Sequence, residues 1–248
     1  GWRTHHDSIL GNLPLFHSFG FTTGFWIPMM TGTKVTYLMN PLDASETGNL
    51  IEKHSLTILL ATPTFLQAYM RKCSNDQFKS LRLVIVGAEK LNEKIAEKFK
   101  QIYGLEPIEG YGCTELSPVV SINISNSILN LGTSAGPQGS AGHPMPGICV
   151  KIIDTETHMQ ISHDQEGLML VKGPNVMQGY LNDPELTAKV IQNGWYNTGD
   201  IAKLNSEGRI YITGRLSRFS KIGGEMVPHE LIESAIQDIV GNEQKCVA

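Results

Sequence analysis

The sequence predicts an α/β fold in three parts: a doubly wound αβ subdomain, a small β-barrel-like subdomain, and the start of a C-terminal α+β domain. Three observations predict it. Short aliphatic runs alternate with helical patterns in the first half, a Gly-, Ser- and Pro-rich stretch at 131–147 precedes several strand-like runs, and a helical pattern resumes after Pro228. We place the parts at residues 1–130, 131–216 and 217–248, with the first part incomplete at its N-terminal side.

The first part alternates strand and helix. Aliphatic or β-branched runs typical of buried parallel strands lie at residues 34–39, 57–61 and 81–86. Helical patterns lie at residues 47–54, 63–73 and 92–103, the last with Asn92 as N-cap and Gly104 at its end. Two glycine-containing segments, 87–89 and 110–112, then fall just past strand ends, where open α/β sheets bind ligands.

The second part consists of strands interrupted by one helix. Strand-like runs lie at residues 149–154, 167–172 and 209–213. The helix is predicted at 184–192 on the outside of the subdomain, with Asp183 as N-cap and Gly194 at its end. In the third part, Pro228 opens a predicted helix at 229–240.

Composition indicates a soluble globular chain and excludes several classes of function. Its 248 residues are 41% hydrophobic, which is enough to bury a core, and the net charge of −4 argues against nucleic acid as a partner. The cysteines show no paired spacing and His5-His6 has no third ligand nearby, so we predict neither a disulfide framework nor a zinc site. No run approaches the roughly 20 apolar residues of a membrane-spanning helix. The opening is unlike a signal peptide and lacks Met, so we expect part of a longer protein.

The run EGYGCTE at 109–115 combines an aromatic ring, bare backbone, a hydroxyl and a carboxylate. Glycines on both sides of Tyr111 allow close approach of a flat ligand, and the ring can stack on a purine. Thr114 can donate to a phosphate oxygen, and Glu115 can hold Mg²⁺. By itself the run also fits a plain Gly-Tyr-Gly turn capped by Thr114.

Four further segments stand in a fixed order around this run. They are LPLFHSFG at 13–20, VGAEKL at 86–91, YNTGD at 196–200 and GR at 214–215. In this order and at these separations, the chain resembles the adenylate-forming superfamily, which includes acyl-CoA synthetases, luciferases and the adenylation domains of peptide synthetases. VVSIN at 119–123 and RLSRFSKIGGEMV at 215–227 are similar to the acyl-acyl carrier protein synthetase part of bacterial bifunctional 2-acylglycerophosphoethanolamine acyltransferases.

The resemblance implies a site for ATP or AMP with Mg²⁺. The nucleotide-binding residues so implied are Gly87, Ala88, Glu89, Glu109, Gly110, Tyr111, Gly112, Thr114, Asp200 and Arg215. The first three would line the adenine side. Tyr111 would stack on the base, Thr114 would contact the α-phosphate and Glu115 would hold the metal. Asp200 would accept hydrogen bonds from both ribose hydroxyls, a pairing that suits a carboxylate.

The resemblance also implies catalytic roles. Thr114 and Glu115 would serve the adenylation step, and Lys221 falls where the family carries a lysine used in the second, thioester-forming step. His17 would have a role that varies with the substrate. Ser217 would occupy the hinge between the two large domains, where the family usually has Asp or Lys, with the charge displaced here to Arg218.

Several of these residues have simpler alternative interpretations. Asp200, after Thr198-Gly199, also fits an Asx turn. Arg215 and Lys221 also fit solvated surface cations, the latter on a strand, and His17 also fits a satisfied loop histidine. The segment TSAGP at 133–137 imitates a phosphate loop but has no following Lys, so we interpret it as a flexible connection.

Two parts of the family pattern have no counterpart in this sequence. The phosphate loop that closes on Lys would precede Gly1, and Lys245 has neither the position nor the context of the family's adenylation lysine. Because positioned cations stabilise phosphoryl-type transition states, we expect these 248 residues alone to be inactive in adenylation.

The resemblance implies an acid–thiol ligase that joins a fatty acid to a thiol of acyl carrier protein or CoA through an acyl-adenylate. A separate acyltransferase domain would extend this to lysophospholipid, in the cytoplasm or at the cytoplasmic face of the bacterial inner membrane. Two alternatives stay open: a CoA ligase or amino-acid adenylation domain of the same fold, and a non-catalytic nucleotide-binding scaffold.

Overall fold

The computed structural model describes residues 6–124, 135–222, 225–229, 232–233 and 235–236. The first sheet contains β1 Ser8–Gly11, β2 Lys34–Tyr37, β3 Ile58–Ala61, β4 Leu83–Val86, β5 Ile108–Gly112, β6 Val119–Ile122 and β7 His143–Pro144. The second contains β8 Cys149–Ile153, β9 Gly167–Lys172, β10 Ile191–Gln192, β11 Trp195–Leu204 and β12 Ile210–Arg215. The helices are α1 Ser18–Phe21, α2 Ile27–Thr31, α3 Ala44–His54, α4 Pro63–Lys72, α5 Glu93–Tyr103 and α6 Pro184–Val190.

The first sheet is mixed, in the order β2-β1-β3-β4-β5-β6-β7. Strands β1 to β5 are parallel, whereas β5, β6 and β7 pair antiparallel. Because the strand order reverses at β1, the connection from β1 to β2 passes on the opposite face from the others. Accordingly α3, α4 and α5 pack on one face, and Phe19 of α1 packs on the other. The sheet is therefore doubly wound, as predicted.

The predicted strands of this sheet are present, but the sequence patterns missed β1, β5, β6 and β7. Helix α5 has the predicted caps: Asn92 accepts from the Lys94 amide at 2.9 Å, and Gly104 adopts φ +68°. Helix α3 begins earlier than predicted, at Ala44 and not at 47. The reason is Asp43, whose Oδ1 accepts from the Glu46 amide at 3.0 Å and so caps the helix.

The second sheet is antiparallel and curled, in the order β10-β11-β9-β8 with β12 beside β11. It encloses its own apolar core, centred on Met169, Val171, Ala202 and Ile210. The predicted barrel-like part is thus a half-barrel. Helix α6 has the predicted N-cap, with Asp183 accepting from the Leu186 amide at 2.9 Å, and none of its residues is buried.

Two features in the later part of the chain differ from the predictions. Helix α6 ends at Val190, because the next two residues form β10. Gly194, at φ +78°, turns the β10–β11 hairpin and does not end the helix. Pro228 is the last residue of a further strand, and a helix begins at the next residue, His229, as predicted.

That strand, β14 Glu225–Pro228, pairs antiparallel with β13 Phe219–Ile222. The predicted helix at 229–240 and the predicted domain boundary near 130 lie mostly outside the described residues. The part of the chain that the structure describes contains no helix with the length and apolar character needed to cross a membrane.

Candidate functional site

Tyr111 occupies the end of β5, at the junction of the two sheets. The prediction that residues 110–112 follow a strand is wrong, because they form its last three positions and pair with β6. Gly112 has a steric reason to be glycine: a Cβ there would lie 1.8 Å from the carbonyl oxygen of Pro118. A Cβ on Gly110 would meet its nearest neighbour at 3.5 Å, an ordinary contact.

Asp200 is held at a β-bulge in β11. Asn197 pairs with Leu170, and Ile201 pairs with Leu168. The two β11 residues are four positions apart, whereas their β9 partners are only two positions apart. The extra residues reorient the strand, and Asp200 becomes buried, with 4% of its surface exposed. The Asx turn in this segment belongs to Asn197, whose Oδ1 accepts from the Gly199 amide at 2.9 Å.

The Asp200 carboxylate joins Tyr111 to Arg215. The Tyr111 hydroxyl donates to Oδ2, and Arg215 Nε donates to Oδ1 at 2.8 Å. Burial and then the neighbouring Asp200 charge raise the pKa of Tyr111, so its hydroxyl stays a donor at neutral pH. The carboxylate in turn raises the pKa of Arg215. Three residues from separate segments are thereby fixed around one point.

These residues line a cleft of about 390 Å³ between the two sheets. That volume is within the usual range for small-molecule sites. Its walls are Ala88, Glu89, Lys90, Glu109, Gly110, Tyr111, Gly112, Gly139, Ala141, Asp200, Ile212, Gly214, Arg215 and Arg218. Eight of the residues implied for the nucleotide therefore share one cleft, although they are spread from residue 88 to residue 215.

The side of the cleft after β4 is shaped by backbone geometry. Ala88 has φ +70°, a left-handed conformation that is unusual for a residue with a side chain and is often found at functional sites. Gly87 does not line the cleft. It lies against Phe19, and a Cβ on Gly87 would be 3.3 Å from Phe19 Cε1. Lys90 Nζ donates to the Ile212 carbonyl at 3.3 Å and so links the two sheets across the cleft.

Glu109 is a partly buried acid on the floor of the cleft. Its Oε1 accepts from the Leu91 amide at 3.3 Å. Burial raises the pKa of Glu109 to about 7, with the Leu91 hydrogen bond and the Lys90 charge acting in the opposite direction. Near neutral pH this carboxyl group therefore exists in both protonation states.

Thr114 and Glu115 lie outside the walls of the cleft, in the turn that follows β5. Thr114 Oγ1 is 3.1 Å from Ser18 Oγ, which ties the turn to α1. Glu115 Oε1 accepts from the Tyr180 hydroxyl at 2.9 Å. Sequence reasoning missed both Ser18 and Tyr180, because each contacts its partner only through the tertiary fold.

The other predicted residues are not among those that line the cleft. His17 caps α1, its Nδ1 accepting from the Phe19 amide at 3.2 Å. Ser217 lies in a 3₁₀ turn, Leu216–Arg218, directly after Arg215. Lys221 lies in β13 opposite Met226. Of the segment 133–137 the structure describes residues 135–137, where the Gly136 amide donates to the Asn123 carbonyl at 2.9 Å and Asn123 Nδ2 donates to the Pro137 carbonyl at 2.9 Å.

Arg218 also lines the cleft. The sequence analysis named it only as the charged residue next to the hinge position Ser217. Its guanidinium pairs with Glu233. With Lys90 and Arg215 it gives the cleft three cations, beside the three acids Glu89, Glu109 and Asp200.

The donor set is compatible with a magnesium nucleotide. Among the described residues, no three His, Cys, Asp or Glu side chains form a metal cluster. Mg²⁺ commonly needs only one or two protein carboxylates, because substrate phosphates and waters complete its shell. Glu115, whose Oε1 accepts from the Tyr180 hydroxyl, offers one such carboxylate.

Comparison with known proteins agrees with this geometry. Residues 1–181 match the family of AMP-binding enzymes. The chain belongs to this family, whose members share the α/β fold described above.

Individual relatives extend the comparison. The chain is 31% identical over 242 residues to a long-chain-fatty-acid–CoA ligase of Bacillus subtilis strain 168, covering 94% of the chain and 42% of the relative. It is 31% identical over 234 residues to a 4-coumarate–CoA ligase of Pinus taeda, covering 91% and 42%. The chain thus spans less than half the length of these relatives.

The fold also matches solved structures. An O-succinylbenzoate coenzyme A synthetase from Bacillus subtilis, in complex with ATP and magnesium ion, superimposes with a TM-score of 0.83 at 26% identity. The match covers 96% of this chain and 48% of that protein.

Proposed function

We propose that this chain forms the nucleotide-binding part of an ATP-dependent acid–thiol ligase. The observation that carries the proposal is the meeting of Tyr111, Asp200 and Arg215 in one cleft, with Glu115 in the adjoining turn. A flat ring, a buried acceptor and a cation match the base, ribose and phosphate of a nucleotide. The family and the relatives named above support the same class of reaction.

The chemistry is the activation of a carboxylate, whose own leaving group is poor. Attack of the carboxylate on the α-phosphate of ATP forms a C–O–P link and releases pyrophosphate, giving an acyl-adenylate. Attack of a thiol on the acyl carbon then forms the thioester and releases AMP. Tyr111 would hold the base, Asp200 the ribose, and Thr114 the α-phosphate, so that the reacting atoms are positioned. A magnesium ion on Glu115 would neutralise phosphate charge.

For the acid we propose a fatty acid, and for the acceptor the thiol of acyl carrier protein. The segments at 119–123 and 215–227 support the carrier protein, whereas the relatives named as CoA ligases favour CoA as the second candidate. Transfer onward to lysophospholipid would require a separate acyltransferase domain. This part of the proposal rests on sequence segments alone.

Lys221 is proposed to act in thioester formation and not in adenylation. It lies beyond the turn that contains Ser217, so rotation there would bring it to the cleft in only one of two poses. Lys221→Ala should therefore retain pyrophosphate exchange and lose acyl transfer.

The test needs a polypeptide that contains this sequence at the full length of the relatives. Pyrophosphate exchange is measured with fatty, aromatic and amino acids, and thioester formation with carrier protein and with CoA. Exchange driven by fatty acids alone, followed by transfer to carrier protein, is the expected result. Exchange driven best by an amino acid would refute the fatty-acid assignment, and ATP binding without any exchange would identify a scaffold.

A further inference from the structure

A single segment, residues 173–183, braces the turn that carries Glu115. The Met177 amide donates to the Glu115 carbonyl at 2.8 Å. Asn175 Nδ2 donates to the Leu116 carbonyl at 3.0 Å. These bonds fix the backbone of the turn, and the Tyr180 hydroxyl fixes the side chain by donating to Glu115 Oε1 at 2.9 Å. One segment thus sets both the position of Glu115 and the direction of its carboxylate.

Tyr180 is itself held from behind by α6. Its amide donates to Thr187 Oγ1 at 2.9 Å, and that hydroxyl donates to the Asp183 carbonyl at 2.8 Å. A Cβ on Gly179 would meet Thr187 Cγ2 at 2.8 Å, so the chain passes α6 too closely for a larger residue. The backbone that carries the Tyr180 ring is therefore held in place.

A carboxylate oxygen accepts hydrogen bonds and cannot donate them. The Tyr180 hydroxyl is therefore the donor in its 2.9 Å bond to Glu115 Oε1, and this bond restricts the direction of the carboxylate.

We propose that Tyr180 is a positioning residue that holds the Glu115 carboxylate in the orientation required to bind the divalent cation of a metal–nucleotide complex. This rests on the nucleotide site proposed above. The magnesium–nucleotide complex should then depend on Tyr180, whereas a metal-free nucleoside monophosphate should not, since Tyr180 does not line the cleft.

The test compares two ligands on the purified chain. Binding of Mg-ATP and of AMP in EDTA is measured by calorimetry or chemical-shift titration for wild type, Tyr180→Phe and Tyr211→Phe. The control removes a phenol hydroxyl from β12, outside the cleft. We expect Tyr180→Phe to weaken Mg-ATP about 10-fold, as for other groups that orient a metal ligand, and to change AMP less than twofold. The control should change neither ligand more than twofold.

A second variant covers the case in which Tyr180→Phe does not fold. Thr187→Val removes the acceptor of the Tyr180 amide at nearly constant shape, and it should weaken Mg-ATP selectively as well. Equal weakening of both ligands, or of neither, in the folded variants would overturn the positioning role. A wild-type chain that binds neither ligand would instead refute the nucleotide site itself, and with it this proposal.

Discussion

Asp200→Asn gives the sharpest test of the proposed nucleotide site. In the structure each carboxylate oxygen of Asp200 already accepts one protein donor, from Tyr111 or from Arg215. An oxygen of this kind can accept a second hydrogen bond. Both ribose hydroxyls can thus be accepted in the wild type, but the amide of Asn offers only one acceptor oxygen.

The expected loss of nucleotide affinity follows from the number of hydrogen bonds removed. One charge-assisted hydrogen bond is lost, which corresponds to about 1.5 to 3 kcal/mol, or roughly 10-fold to 150-fold in AMP or ATP affinity. The fold should lose less, about 1 kcal/mol. The Tyr111 hydroxyl can reverse to accept from the new amide, and the Arg215 side chain, 59% exposed, can be solvated.

The assay is calorimetric titration with AMP and with its 2′,3′-dideoxy analogue, beside urea denaturation of each variant. Asp164→Asn, at an exposed position with φ +63° that Asn tolerates, is the matched control. The analogue should bind wild type and Asp200→Asn with similar affinity. Unchanged AMP affinity in a folded Asp200→Asn variant would show that this carboxylate only joins the strands.

Two further predictions concern β5. Gly112→Ala should destabilise the fold by about 2 to 3 kcal/mol because of the clash with the Pro118 carbonyl, whereas Gly110→Ala should cost less than about 1 kcal/mol; equal urea midpoints for the two would contradict this. In the folded protein the pKa of Glu109 is raised to about 7 from its ordinary value near 4.5. The folded protein therefore binds this proton more tightly than the unfolded chain does, so the free energy of unfolding falls as pH rises from 4.5 to 7. Glu109→Gln should therefore match wild type near pH 4.5 and exceed it by about 1 to 3 kcal/mol at pH 8, and a difference that is independent of pH would refute the assignment.

Local signals in the sequence predicted much of the fold. Asn92 and Asp183 each cap the predicted helix because their short polar side chains reach the next amides without help from distant residues. Strand β1 was missed because four residues opening with Ser8 give too short an apolar run. Gly194 was misassigned because a glycine ends helices and turns hairpins equally well.

Eight of the residues predicted for a nucleotide line one cleft, but their contacts could not be predicted from the sequence. Tyr111, Asp200 and Arg215 stand in recognisable motifs, yet the bulge that buries Asp200 depends on the pairing of β11 with β9. Tyr180 carries no signal of its own, because its contact with Glu115 spans 65 positions of sequence. Their roles toward a nucleotide stay predictions until binding is measured.

The bond between Tyr111 and Asp200 also has a consequence for the order of folding. Its two residues are 89 positions apart in the sequence. Arg209 and Asn123, which are also hydrogen-bonded, are 86 positions apart. Closing such long loops costs entropy that is regained only when both sheets have formed, so these contacts belong to the late, slow steps. During synthesis the first sheet emerges well before β11. Nucleotide affinity acquired during refolding would then report the docking of the two sheets, while circular dichroism would record the earlier formation of helices.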